Sequence, residues 1–265
     1  MVIPCLFLIL GTGLLAQTSP QVPDKRSLLP AASIPDLTPA PVRPAQAAAP
    51  VTPEVRGDIC MARKMYREAA EAYREGPADS AILQNKIGIA YHQMLLLDQA
   101  RKQYEKAVRM SPGYSEAINN LGTIYYARKS YRRAIHYYRK ALHFNPNSAS
   151  IHSNLGTAYF ARKKYQEAFD TYQKALQLDP EVFEHRGANG VLLQERSVTE
   201  RARFHFYLAK TYAKAGNVER ALLYMRKAIE EGFKERNKFQ EDPEFTTLRG
   251  LPEFQQLLVL EARVL

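Results

Sequence analysis

The sequence predicts an all-α fold, an α-solenoid of stacked antiparallel helical hairpins, on three observations. The phrase NNLGTIYYARKSYRRAIHYYRKALHFNP at residues 119–146 returns 34 residues later, at residues 153–180, as SNLGTAYFARKKYQEAFDTYQKALQLDP. The same period divides part of the chain into three consecutive blocks, 81–114, 115–148 and 149–182. Within each block, small and aromatic residues recur at helical spacing. One hairpin cannot cover its own apolar face, so consecutive hairpins are expected to stack.

Each block repeats the same residue types at the same places. Gly and Ala at the crossing points let two antiparallel helices approach closely, and Tyr side chains fill the space around that contact. A proline closes each block and biases the residue before it away from helix, so it ends the second helix. The matched residues are Gly88, Gly122 and Gly156; Tyr91, Tyr125 and Tyr159; Ala100, Ala134 and Ala168; Tyr104, Tyr138 and Tyr172; Ala107, Ala141 and Ala175; and Pro112, Pro146 and Pro180.

The composition is that of a folded protein with a basic surface. Of 265 residues, 46% are hydrophobic and 24% are charged, and the formal net charge is +10. This excludes a wholly disordered chain. Residues 1–55 carry equal numbers of acidic and basic side chains, so the net charge belongs to the rest of the chain. Such a surface favours acidic partners, nucleic acid or anionic lipid head groups.

The N-terminal part differs in composition from the repeats. Residues 1–16 contain no charged side chain, and they are shorter than the roughly 20 apolar residues of a membrane span. We expect a signal peptide cleaved after Ala16, with an uncleaved membrane anchor or an ordinary cytosolic N-terminus as alternatives. Residues 17–55 hold nine of the sixteen prolines and are expected to form a disordered, Pro/Ala-rich linker. After cleavage, Cys60 would be the only cysteine, so no disulfide is expected.

Four further segments are less regular. Residues 56–80 read as a degenerate first hairpin, and residues 202–235, with YLAKTYAKAGNVERALLYMRKAIEEGF, read as a fourth full repeat. Residues 183–201 form an insertion, interpreted either as a plain connection with a short helix or as a functional flap. Residues 236–265 are expected to form C-terminal capping helices over the last hairpin.

The pattern L-G-x-x-Y followed by A, an aromatic residue, A and P in a 34-residue period resembles the tetratricopeptide repeat. The resemblance covers residues 56–182 and 202–235. The chain departs from the family pattern at one position in every repeat, but the expected fold is unchanged because the other positions agree. The early Trp of that family is replaced by Gln84, Ile118, His152 and His205.

No constellation of catalytic or metal-binding residues stands out. The six histidines lack ligand spacing, no C-x-x-C pair exists, and no Ser, Cys or Thr lies in a recognisable nucleophile motif. We therefore expect no enzymatic activity, no metal and no cofactor.

The resemblance implies a concave groove lined by the first helix of each hairpin, through its second, fifth, sixth and ninth places. Carried over to this chain, the predicted partner-binding residues are Asn85, Lys86, Asn119, Asn120, Thr123, Asn154, Thr157, Phe206 and Lys210. Asn120 and Asn154 occupy equivalent places one repeat apart. An amide both donates and accepts, so such a ladder is suited to the backbone of an extended peptide. The alternative is that these amides only solvate an exposed helix face.

A basic face is the second candidate surface. Its residues are Arg128, Lys129, Arg132, Arg133, Arg139 and Lys140. Three interpretations are open: an ordinary solvated face, contact with an acidic protein, lipid or polysaccharide, or a nucleic-acid surface with interleaved tyrosines.

The sequence as a whole predicts a non-enzymatic scaffold that holds an extended segment of another protein in its concave groove. We expect the protein to be exported, either periplasmic or secreted. One alternative is an envelope assembly factor tethered to the inner membrane by an uncleaved N-terminus. Another is a basic solenoid that binds nucleic acid.

Overall fold

A computed structural model describes residues 51–184 and 197–260 of this chain. The expected signal peptide (1–16), nearly all of the expected linker (17–55) and most of the expected insertion (183–201) therefore lie outside the described residues. The end of the chain, 261–265, also lies outside them. Among the described residues, no helix is long and apolar enough to cross a membrane.

The described residues form helices joined by turns, and they contain no strand. The helices are α1 (Pro53–Ala62), α2 (Tyr66–Arg74), α3 (Ala81–Gln93), α4 (Leu97–Met110), α5 (Ser115–Ala127), α6 (Tyr131–Phe144), α7 (Ala149–Ala161), α8 (Tyr165–Leu178), α9 (Val198–Lys214), α10 (Val218–Glu230), α11 (Asn237–Glu241) and α12 (Pro252–Leu258). A 3₁₀ turn over Pro243–Phe245 lies between α11 and α12.

The helices pack as consecutive pairs, α1 with α2 through α9 with α10, and each pair stacks on the next. The predicted α-solenoid is therefore confirmed. First helices of neighbouring pairs contact one another, α3 with α5 and α5 with α7, whereas neighbouring second helices make at most weak contact. A row of helices that approach one another this way lies on the inner side of the curve. We call the surface formed by α3, α5 and α7 the inner face.

A glycine in the first helix lies against a tyrosine in the second helix of the same pair. An added Cβ would lie 2.5 Å from the ring at Gly88, 2.6 Å at Gly122 and 2.5 Å at Gly156. Real Cβ atoms do not approach other atoms this closely, so these places require glycine. The rings belong to Tyr104, Tyr138 and Tyr172, all of them buried. Gly57 and Tyr73 make the same contact, so the degenerate first hairpin packs like the others.

Two helices extend beyond the expected repeat boundaries. The first helix begins at Pro53, three residues before the expected start of the first hairpin, because the Thr52 hydroxyl accepts a hydrogen bond from the Val55 amide and caps it. The first helix of the last pair begins at Val198, four residues before the expected repeat at 202–235, because Ser197 caps it in the same way. With 17 residues, α9 is four residues longer than α3, α5 or α7, each of which has 13.

The turn inside each pair places one residue in the left-handed region. In four pairs this residue is not glycine: Lys64, Leu95, Lys129 and Lys163, with φ between 58° and 61°. In the last pair it is Gly216, with φ of 77°. Side chains disfavour this conformation by roughly 1–2 kcal/mol, so the four turns carry strain that glycine would relieve.

The C-terminal segment packs on the last pair. The 3₁₀ turn contacts α9, and α12 contacts α10. Phe239, Phe245, Phe254 and Leu257 are buried in this segment. The last pair is therefore covered on both of its helices.

Candidate functional site

A chain of side-chain amides crosses the repeats along the inner face. Asn154 Nδ2 donates to Asn119 Oδ1 at 3.1 Å, and Asn120 Nδ2 donates to Asn85 Oδ1 at 2.9 Å. Asn119 Nδ2 links the two by donating to Asn120 Oδ1 at 3.4 Å. The chain ends where Asn85 Nδ2 donates to the Tyr114 hydroxyl at 3.4 Å. We call Asn85, Asn119, Asn120 and Asn154 the amide ladder.

Most of the amide ladder is buried. Asn85 is 4% exposed, Asn119 is 8% exposed and Asn154 is 2% exposed, whereas Asn120 is half-buried. Asn85, Asn119 and Asn154 were expected to present open amides to a peptide backbone, and this expectation is corrected because all three are buried. The alternative, that they solvate an exposed helix face, is corrected for the same reason. Their amides pair with one another across repeats, because a buried amide without a partner is costly.

Thr123 and Thr157 are also committed to internal bonds. Each hydroxyl donates to the carbonyl oxygen four residues earlier, at 3.3 Å for Thr123 and 2.9 Å for Thr157. Each accepts a hydrogen bond at 3.3 Å from the tyrosine that packs on the neighbouring glycine, Tyr138 and Tyr172 respectively. These threonines therefore supply the hydrogen bond that a buried Tyr hydroxyl requires.

Lys86 ties the first pair to the second. Its Nζ lies 2.8 Å from Glu54 Oε1 and 2.8 Å from Asp58 Oδ2. Asp58 also accepts a hydrogen bond at 2.7 Å from the Tyr73 hydroxyl. Burial opposes the charge on Lys86, but the hydrogen bonds to Asp58 and Glu54 outweigh it and raise the pKa of Lys86. The lysine stays charged and holds α1 against α3.

Phe206 and Lys210 are covered by the C-terminal segment. The Phe206 ring is buried and stacks on Phe233, with centroids 4.5 Å apart. Lys210 Nζ lies 2.9 Å from Asp242 Oδ2 and 3.2 Å from Glu244 Oε2. The expectation that these two residues line an open groove is corrected, because the segment that follows α10 packs over both of them.

A small cleft of about 170 Å³ remains beside this covered end. Tyr165 and Tyr207 stack in its wall, with centroids 5.2 Å apart. Arg203 donates to the Tyr165 hydroxyl at 3.0 Å and pairs with Glu235 at 3.2 Å, and Glu235 also pairs with Lys238. Every charged group that lines the cleft is therefore already paired.

The predicted basic face divides into two groups. Arg128 pairs with Asp98 at 2.5 Å. The guanidinium groups of Arg133 and Arg139 lie 5.7 Å from the ring centroids of tyrosines on their own and the next pair. For Lys129, Arg132 and Lys140, all exposed, the described residues provide no ion pair. The cations that stay open to a partner are therefore a subset of those that the sequence indicated.

A second cleft, of about 490 Å³, opens between the turns of the third and fourth pairs. It is lined by Lys129, Ser130, Tyr131, Arg132, Arg133 and Arg162. We call this the basic cleft. The sequence interpretation missed Arg162, although the 34-residue period places it at the same position as Arg128 in its own turn. No group of His, Cys, Asp and Glu able to hold a metal ion occurs among the described residues.

Comparison with protein-family models finds matches in the repeated part of the chain. Two models described as tetratricopeptide repeat match residues 79–147 and 119–182. A third model with the same description matches residues 202–231. Together these matches span α3 to α8 and the α9–α10 pair, just over half of the chain. No curated protein matches it in sequence.

Several solved structures are similar to this chain. MamA from Desulfovibrio magneticus RS-1 is 18% identical, with 66% of this chain and 90% of that chain covered and a TM-score of 0.46. Another MamA structure is 20% identical, with 66% and 93% covered and a TM-score of 0.46. YrrB, described as a TPR protein with an unusual peptide-binding site, is 20% identical, with 66% and 82% covered and a TM-score of 0.43. At these levels the likeness carries no statement about function.

Proposed function

Since the chain belongs to the tetratricopeptide repeat family, we propose that it is a non-enzymatic scaffold that binds a segment of another protein on its inner face. The amide ladder is the observation that carries this proposal. It joins α3, α5 and α7 by side-chain bonds between repeats, from Asn154 through Asn119 and Asn120 to Asn85. A surface held in this way is already ordered before a partner arrives, so less conformational entropy is lost on binding.

Asn120 is the ladder member best able to contact a partner. It is half-buried rather than buried, and it donates one of its two amide hydrogens to Asn85. A primary amide has two hydrogens and its oxygen has two lone pairs. Among the described residues, Asn120 keeps one hydrogen and one lone pair for a peptide backbone. Ile89 and Ser153, both half-buried on the inner face, flank it on the neighbouring repeats.

Site-specific photo-cross-linking tests where the partner lies. A photoreactive phenylalanine analogue is placed at Ile89 on the inner face and, as a matched control, at exposed Gln99 on α4. We expect a discrete cross-linked species from position 89 and none from position 99. Asn120→Ala in the same background is expected to weaken that species while circular dichroism shows the helices unchanged. Equal cross-linking from both positions would contradict an inner-face site.

We also propose that the chain is exported and that residues 1–16 are removed. The support is the uncharged, apolar composition of that segment, which ends in the small residue Ala16. Intact-mass analysis of the protein from fractionated cells distinguishes this proposal from a tethered envelope factor. A mature chain beginning at Gln17 in a soluble envelope fraction is expected. A full-length mass in the membrane fraction would favour the tether instead.

A further inference from the structure

We propose that the basic cleft is a second docking site, separate from the inner face, and that it binds a short acidic segment of a partner protein through the carboxylates of that segment. No residue is shared between the basic cleft and the amide ladder. Its cations come from two consecutive repeats: Lys129, Arg132 and Arg133 from one, and Arg162 from the next. The stacking of the repeats therefore creates the site.

The charge on this part of the molecule is not required by the fold. The second helix α6, Tyr131–Phe144, contains no acidic residue. The corresponding helices α2, α4, α8 and α10 each contain both acidic and basic residues. In α4, for example, Arg101 and Glu105 form an ion pair at 2.6 Å one turn apart. Helix α6 cannot form such ion pairs within itself. The other second helices pack against their first helices equally well with mixed charges, so packing does not require an all-basic helix.

Lys129 lies in the turn between α5 and α6 and lines the basic cleft. Lys129 has a φ of 58°, and the equivalent place in the last pair is glycine, Gly216, with a φ of 77°. Glycine adopts this conformation without the steric cost that a side chain incurs. The same conformation occurs at Lys64, Leu95 and Lys163, so it belongs to the turn of the hairpin. Lys129 differs from these three in lining the basic cleft, to which it brings a positive charge.

The geometry favours an acidic protein segment over nucleic acid. The cleft gathers guanidinium groups, which bind carboxylates through two parallel hydrogen bonds. Proteins that bind single-stranded nucleic acid also present aromatic faces on which bases stack. Tyr131 is the aromatic residue that lines the basic cleft, and its ring packs against Tyr126 with centroids 5.2 Å apart. The cleft therefore offers a cluster of cations rather than a row of stacking rings.

The extent of the charge matches a short segment. From Arg132 to Lys140 the axis of α6 rises by about 12 Å at 1.5 Å per residue. An extended peptide crosses that distance with roughly four residues. A segment with a few consecutive acidic residues could therefore reach the cations along the helix and those in the cleft at the same time.

The test measures binding of a fluorescein-labelled hexaglutamate peptide to the full chain by fluorescence polarisation at physiological ionic strength. The double variant Arg132→Ala/Arg162→Ala is compared with Lys102→Ala/Lys174→Ala, which removes the same charge from exposed places on α4 and α8. We expect about a tenfold loss of affinity for the first variant and less than about twofold for the second, since close charge pairs contribute more than distant net charge.

The variant Lys129→Gly distinguishes a loss of peptide affinity from a loss of stability. Because glycine relieves the left-handed strain, its thermal midpoint should not fall, while the peptide affinity should fall about threefold with the loss of one contact charge. Three outcomes would overturn the proposal. One is no binding of hexaglutamate, and another is equal loss in both double variants. The third is binding of anionic vesicles or of a single-stranded oligonucleotide, instead of hexaglutamate, that is lost in Arg132→Ala/Arg162→Ala. Inner-face variants do not enter this test, so its failure leaves the proposed function standing.

Discussion

The amide ladder is expected to contribute measurably to stability, and Asn154→Ala tests that contribution. The Asn154 side chain is 2% exposed, and its Nδ2 donates to Asn119 Oδ1 at 3.1 Å. Replacement by Ala removes this bond and leaves a carbonyl oxygen without its partner on a residue that is only 8% exposed. A buried polar group left in this state costs about 1–3 kcal/mol, so we expect the free energy of unfolding to fall by that amount.

Urea unfolding followed by circular dichroism measures this change from the midpoint and the slope of the transition. The control is Gln99→Ala, because Gln99 is exposed on the outer helix α4. Its effect should stay within about 0.5 kcal/mol. A double-mutant cycle is completed by measuring Asn119→Ala and the double variant Asn119→Ala/Asn154→Ala in the same way.

The cycle isolates the bond between the two amides. If the ladder acts as described, the two single changes should not add, and the coupling energy should lie between about 0.5 and 2 kcal/mol. A loss below about 0.5 kcal/mol for Asn154→Ala, or a coupling energy near zero, would contradict a bond between these two amides. The amides would then be solvated in the native state rather than bonded across repeats.

Three further predictions concern packing, strain and pH. Gly122→Ala should destabilise the protein by about 1–3 kcal/mol in urea unfolding, because the added Cβ overpacks the site against Tyr138; Gly250→Ala, with no atom within 4 Å, is its neutral control. Lys129→Gly should raise the free energy of unfolding by about 0.5–1 kcal/mol, and a decrease would contradict the strain argument. Burial lowers the pKa of His92 below its ordinary value of 6.5, so the unfolded chain binds this proton more tightly and stability should be lost as the pH falls below about 6.5. His92→Gln should reduce that dependence in unfolding curves measured across this range, and part of it should remain because burial also lowers the pKa of His205.

The packing inside each helix pair follows directly from the repeated sequence. Gly122 and Tyr138 lie only 16 residues apart and meet because two short helices fold back on one another. A contact of this kind depends on helical periodicity and on a short turn, and both can be read from residue types. The same holds for the Gly57–Tyr73 contact of the first pair, which a weak sequence match already indicated.

The use of the amides could not be predicted in the same way. The 34-residue period places Asn120 and Asn154 at equivalent positions, yet Asn154 is buried and Asn120 is half-buried. Each bonds to a residue 35 positions earlier, at the fifth place of the preceding first helix. Which side of a helix meets its neighbour depends on the angle between stacked pairs, and the period alone does not specify that angle.

Residue types and their 34-residue spacing are enough to predict the helix pairs, their stacking order and the family to which the chain belongs, because these depend on local spacing repeated along the chain. The contacts of Lys210 with Asp242 and Glu244, and the meeting of Arg162 and Arg132 in one cleft, follow only from the assembled fold. These contacts join different repeats or the chain's end. Their partners are set by the superhelical offset between pairs, a property of the assembled stack rather than of any one hairpin.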